Sequence, residues 1–192
     1  MALDAMSEVS DEALLVLYAN GDPHAARSLT VRLAPRVMAH AYRLLHDRAE
    51  AEDVTQEALL RLWKIAPEWR TGEAQVTTWL YRVTANLCTD RLRKTRHGDI
   101  EAAPEVADDA PSADQALISQ ARAEALTGAL ANLPDRQRQA VVLRHIEGLQ
   151  NPEIAEIMDI SVEAVESLTA RGKRALAKCL GTRRAELGFY DG

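Results

Sequence analysis

The stretch from His97 to Ala116, HGDIEAAPEVADDAPSADQA, constrains the fold of this 192-residue chain more than any other. It carries Gly98, Pro104 and Pro111, shows no apolar period, and reads as a solvated linker. Residues 97–121 hold six acidic residues and no Lys or Arg, against thirteen of each sign in 1–96 and ten of each in 122–192. The whole net charge of −6 therefore lies between two balanced segments. A chain divided in this way is expected to form two small modules, 1–96 and 122–192, joined by a flexible acidic linker over 97–121. Bulk acidity then says nothing about either module's affinity for a polyanion, because local patches set the field that a phosphate meets.

Composition sets the class within each module. One Phe, three Trp and four Tyr against abundant Ala and Leu favour helix over a sheet of aromatic and β-branched residues, so an all-α fold is expected. Ser10 or Asp11 can cap a helix reaching Tyr18, and Gly21-Asp22-Pro23 breaks it and starts the next. That second helix runs to about His46 with a kink at Pro35, where the ring removes a backbone donor. Further helices are expected from about Ala49 to Ile65 and Val76 to Lys94, then over 113–131, 135–147, 152–158 and 162–180. The last two, separated by Asp159-Ile160, read as a helix-turn-helix.

Several function classes lack support. Cys88 and Cys179 stand far apart without CxxC spacing and read as small apolar residues, and the five His are dispersed, so neither a metal site nor a cofactor is expected. No nucleophile, base and orienting group fall together, which argues against an enzyme. No apolar run approaches the ~18 residues of a membrane span, and MALDAMSEVSDEA is acidic where a signal peptide is basic, so no membrane insertion and a cytoplasmic protein are expected.

Two helix faces are left unexplained by core packing. Projected at 100° per residue, Ala51, Val54, Ala58, Leu62 and Ile65 form a core stripe, and Asp53, Gln56, Glu57, Leu60 and Lys64 lie opposite with Trp63 on the flank. An exposed Leu among polar groups suits a docking face, although scattered surface residues would look the same by periodicity. On 76–94, Val76, Trp79, Leu80, Val83 and Leu87 turn inward, while Tyr81, Arg82, Ala85, Thr89 and Arg93 turn outward ahead of the basic run DRLRKTR. Basic residues there complement a helix dipole; with Tyr81 for stacking they could also hold single-stranded nucleic acid.

In the last helix, Val165, Thr169, Gly172 and Leu176 form the face expected to pack on 152–158. Glu163, Ser167, Ala170, Arg171, Arg174 and Lys178 face outward, with Glu166 and Lys173 on one flank and Leu168 on the other. Ser167, Arg171, Lys173 and Arg174 are the candidate DNA contacts, with Lys178 as a phosphate contact. Glu163 has two readings: a first-turn carboxylate stabilises a helix N-terminus by ~0.3–1 kcal/mol, and a glutamate can accept from cytosine N4 in the major groove.

Three ordered stretches, AEDVTQEALLRLW, TTWLYRVTANLCTDRLRK and LPDRQRQAVVLRHIEGLQNPEIAEIMDISVEAVESL, resemble the extracytoplasmic-function group of bacterial sigma factors over roughly 10–96 and 122–180. The resemblance implies that the first module, region two, docks on the clamp of the largest subunit of core RNA polymerase and opens the −10 element. It implies that the second, region four, binds the −35 element and the flap of the second-largest subunit. An anti-sigma factor is implied as a further partner. Asp53, Gln56 and Glu57 match the clamp-binding helix, on the stripe that also holds Leu60; the loop Pro67 to Thr77 and Asn86 match the parts that hold unstacked −10 bases, to which Tyr81, Arg82 and Arg93 are joined as candidates. This chain departs from the family at Val76, often aromatic there, and at Glu166 and Leu168, commonly basic. A free-standing helix-turn-helix regulator and a sigma-like adaptor that binds only an anti-sigma factor are the alternatives.

Overall fold

The computed structural model describes residues 8–72, 75–98 and 114–181, without the side chains of 95–98 and 114–122. The acidic segment between 98 and 114 therefore lies outside the described residues, which are helical throughout their regular elements and contain no strand. The chain divides into two compact units with the main boundary after Gly98, residues 156–158 being grouped with the first.

The first unit begins with α1, Asp11–Ala19, whose N-terminus is capped by Ser10 Oγ accepting from the Ala13 amide at 3.2 Å. Gly21 takes φ of +93°, which suits a residue without Cβ, and Asp22 then caps α2, Pro23–Leu45, through Oδ1 and the His24 amide at 2.8 Å. Along α2, Ala25, Leu29, Leu33, Val37 and Ala41 recur every fourth residue and are all buried. The helix remains one element across Pro35. His46, in the left-handed region, ends α2, and Asp47 caps α3, Arg48–Ile65, through the Glu50 amide at 3.0 Å. A short 3-10 turn, Ala66–Glu68, follows, and α4 runs from Val76 to Gly98, one turn beyond the expected end at Lys94. Leu14 and Leu15 of α1, Leu29 and Leu33 of α2, Leu62 of α3 and Leu80 of α4 share one core. Full burial of each such side chain contributes about 1.5–3 kcal/mol.

The second unit comprises α5, Asp114–Ala131; α6, Asp135–Val141, which widens into a π-helical turn over Val142–Ile146; α7, Asn151–Met158; and α8, Val162–Gly181. Leu130, Leu133, Val141 and Val142 form its core, with Leu126, Ile146 and Leu176 packed against them. Arg138 is buried because its guanidinium donates to the Leu133 carbonyl at 3.1 Å and faces Asp135 at 3.3 Å, which satisfies the end of α5 and the start of α6 together. Arg144 donates to the Leu149 carbonyl at 2.9 Å and to Gln150 Oε1 at 3.1 Å, and so ties the turn that leads into α7. Apolar spacing predicts one ordinary helix over 135–147, and the π-helical turn within it leaves no trace in that spacing.

Candidate nucleic-acid and docking surfaces

α3 buries Ala51, Val54, Ala58 and Leu62, and this orients its opposite face outward. Asp53 and Gln56 are exposed there, Glu57 is half-buried, and Leu60 keeps 54% of its surface in solvent. The carboxylates are not bare charges. Asp53 stands 3.6 Å from the Arg91 guanidinium of α4, which also pairs with Glu50, and Glu57 receives the Arg61 guanidinium at 2.8 Å. The hydrogen bond from Arg91 to Glu50 is the largest cause of a raised Arg91 pKa. Trp63, read from the sequence as flanking this face, is half-buried and packs against the core, with its ring 4.7 Å from that of Tyr18.

On α4 the helical projection succeeds on one side and fails on the other. Arg82, Asn86, Thr89 and Arg93 are exposed and, at 100° per residue, line a single stripe. Arg93 stands 3.9 Å from Asp90. Tyr81, expected outward for base stacking, is 2% exposed and lies 4.8 Å from the His40 ring of α2. Ala85, also expected outward, is buried, as are Thr84 and Cys88. The reason is geometric: α4 packs on both α2 and α3, so its buried arc is wider than the one-partner stripe assumed in the projection. Burial pushes the Cys88 thiol up to about 12, with Arg91 opposing, so this thiol is not poised for thiolate chemistry.

Ahead of the exposed stripe of α4 lies an open cleft of about 790 Å³. One wall is Ser10, Asp11 and Glu12 at the start of α1; the other is Thr71, Gly72, Gln75 and Thr77, with Arg36 of α2 between them. The loop is anchored to α4 by Trp69, which meets Trp79 edge to face at 6.0 Å, while Trp79 packs inward as its position predicts. Glu73 and Ala74 of the candidate loop lie outside the described residues. Arg36 and Glu12 were not among the residues read from the sequence, and Trp69 entered only as part of the loop Pro67 to Thr77. A tryptophan in a polar loop was an available signal, whereas Glu12 looks like any first-turn carboxylate.

In α8, Val165 and Gly172 are buried and Leu176 joins the core. This inward face packs mainly on α6 and then on α5, rather than mainly on α7 as the helix-turn-helix reading expected. Gly172 explains the choice, since a Cβ there would stand 2.5 Å from Val141 Cγ2 and 3.2 Å from the Gln137 carbonyl oxygen, so only glycine lets α8 approach α6 this closely. Glu163, Arg171, Lys173, Arg174 and Lys178 are exposed, and Ser167 is half-buried. Backbone hydrogen bonding at Glu163 itself, and then the Ser161 hydroxyl, hold the Glu163 carboxyl below its usual value, as expected for a helix cap. Glu166 accepts from Asn151 Nδ2 at 3.4 Å and so faces the first residue of α7.

Comparison with known proteins identifies the family of both segments. Residues 29–98 match the family model of Sigma-70 region 2, and residues 123–176 match that of Sigma-70 region 4. The chain is 35% identical over 188 residues to the ECF RNA polymerase sigma factor SigE of Mycolicibacterium smegmatis, covering 93% of this chain and 72% of that one. It is 30% identical to SigW of Bacillus subtilis, an ECF RNA polymerase sigma factor, across 83% of this chain and 91% of the other. The fold is shared with the sigma factor RpoE of Bartonella quintana, solved in complex with the anti-sigma factor NepR, at a TM-score of 0.65 and 22% identity over 81% of this chain and 96% of that chain. CnrH, solved in complex with the cytosolic domain of CnrY, gives the same TM-score at 23% identity, over 90% of this chain and 97% of that chain. With both regions in order and identity spread along most of its length, the chain belongs to the extracytoplasmic-function group of RNA polymerase sigma factors.

Proposed function

We propose that the chain docks on the clamp of core RNA polymerase through the outward face of α3, captures −10 bases with α4 and the cleft before it, and reads the −35 element with α8. The observation that carries this reading is the outward placement of three distinct faces on two separate units. Leu60 stands among Asp53, Gln56 and Glu57 on α3; Arg82, Asn86 and Arg93 align on α4; Arg171, Lys173, Arg174 and Lys178 are exposed on α8. An apolar centre with a polar surround suits a protein partner, and aligned cations suit phosphates. Base capture follows the same physics as other base flipping, since extrusion is least costly where strands have already parted and an amide such as Asn86 can read a freed edge.

Tyr81 is not part of this reading, because its ring is in the core. Promoter binding by the free chain is weak and salt-sensitive, and docking on polymerase supplies the remaining affinity. The protein works in the cytoplasm, where polymerase is, and is held by an anti-sigma factor until released. Among the described residues no helix is long and apolar enough to cross a membrane.

Run-off transcription with core polymerase on a promoter library tests the assignment. Wild type is expected to yield discrete transcripts. Asp53→Ala/Gln56→Ala/Glu57→Ala is expected to lose them through core binding, and Arg171→Ala/Arg174→Ala through −35 binding. Full activity of the first variant sinks the docking assignment, and silence of wild type on every template sinks the whole reading.

A further inference from the structure

The first turn of α4 is held from outside its own loop. The backbone amide of Val76, the first residue of α4, donates to Glu12 Oε1 at 3.3 Å across 64 residues of sequence. Such amides have no partner within a helix, and a carboxylate placed there also meets the positive end of the helix dipole. Glu12 is itself fixed in place, because the start of α1 is bound to α2 by Arg32, whose Nη1 donates to the Val9 carbonyl at 2.8 Å and to Asp11 Oδ1 at 2.6 Å. α1 therefore acts as a strut from α2 to the head of α4, along one wall of the cleft whose other wall is Thr71, Gly72, Gln75 and Thr77. The match to the region 2 model begins at residue 29, so this strut lies before the matched segment.

We propose that Glu12 is a positioning residue for −10 recognition: by holding the Val76 amide it sets the cleft lined by Thr71, Gly72, Gln75 and Thr77, and so determines which unstacked base is accepted. This rests on the base-capture reading above. Glu12 does not touch DNA; it acts through the start of α4. Length and acceptor chemistry both matter. Gln keeps the oxygen at the same reach, Asp keeps the charge in the first turn of α1 but is one methylene short, and Ala removes the acceptor.

The test uses holoenzyme reconstituted from the full chain and core polymerase, with a promoter library randomised across the −10 element. Transcript yield for each base is read beside affinity for core and the thermal midpoint of the free chain. Glu12→Ala and Glu12→Asp are expected to flatten the −10 base preference about 3–10-fold, the size of one net hydrogen bond, while core affinity stays put and Glu12→Gln keeps the wild-type profile. A wild-type profile in Glu12→Ala and Glu12→Asp, with a changed one in Thr71→Val or Gln75→Ala, overturns the proposal and leaves base capture standing. Unchanged profiles in all four variants overturn both. Equal loss in the Ala, Asp and Gln variants together with lost core affinity reduces Glu12 to a structural role and overturns the proposal as well.

Discussion

α3 and α8 each bury one face and present the other, but they treat charge in opposite ways. On α3 the outward carboxylates already have cations beside them, Arg91 for Asp53 and Arg61 for Glu57. On α8, Arg171, Lys173, Arg174 and Lys178 make no ion pair with any described residue. A face whose charges are satisfied internally costs less to desolvate against another protein, and its centre, Leu60, is free to supply apolar contact. A row of unpaired cations is suited to releasing counterions from a phosphate backbone. The two faces thus separate protein docking from nucleic-acid binding by their electrostatics, although both helices carry mixed charge in sequence.

The sharpest test of that contrast is at its apolar centre. Leu60→Asp is expected to weaken binding to core polymerase by roughly 100-fold in a fluorescence titration, whereas Glu57→Ala, which removes one exposed i,i+4 pair, changes it by no more than about 3-fold. The reverse ranking would mean that α3 docks by charge. Next in size, Arg171→Ala/Arg174→Ala is expected to lower −35-dependent run-off by roughly 10–30-fold and to flatten the salt dependence of promoter binding by about two phosphate contacts. An unaltered salt slope would remove α8 from the phosphate backbone.

A third comparison concerns how α8 is seated. Gly172→Ala places a methyl against Val141 and the Gln137 carbonyl, and is expected to destabilise the second unit by about 1–2 kcal/mol even after the better helix propensity of alanine is allowed for. Gly128→Ala in α5 meets nothing within 4 Å and is expected to stabilise by about 0.5–1 kcal/mol. Opposite shifts in two thermal melts are the outcome that supports the close approach. The smallest effect is at His145, whose imidazole is held below the ordinary 6.5 by partial desolvation first and then by Lys173 and Arg144. Its contribution to stability is present above pH 6.5 and is lost as pH falls through the depressed value, so His145→Gln should flatten the acid side of the stability curve slightly.

The starts of α1 and α2 were legible because Ser10 and Asp22 are local signals whose hydrogen bonds close within three residues, with Pro23 suited to the first helical position, whereas the Asp47 cap of α3 appeared only in the structure. The outward placement of Asp53, Leu60, Arg82 and Arg174 was legible for a similar reason, since one helix face needs only its own period. Tyr81 and Ala85 were misplaced because each lies at the margin of a stripe, where burial depends on how many neighbours a helix has.

The sequence by itself determined the approximate helices, the caps of the first two, the division at the acidic segment and the family, because each rests on local hydrogen bonding, composition or residue order. Only the tertiary structure decided that α4 is enclosed on two sides, that Gly172 seats α8 on α6, that Arg91 faces Asp53 and that Glu12 holds the start of α4. Those contacts join residues tens of positions apart, and no local period or propensity encodes which distant partner a side chain will meet.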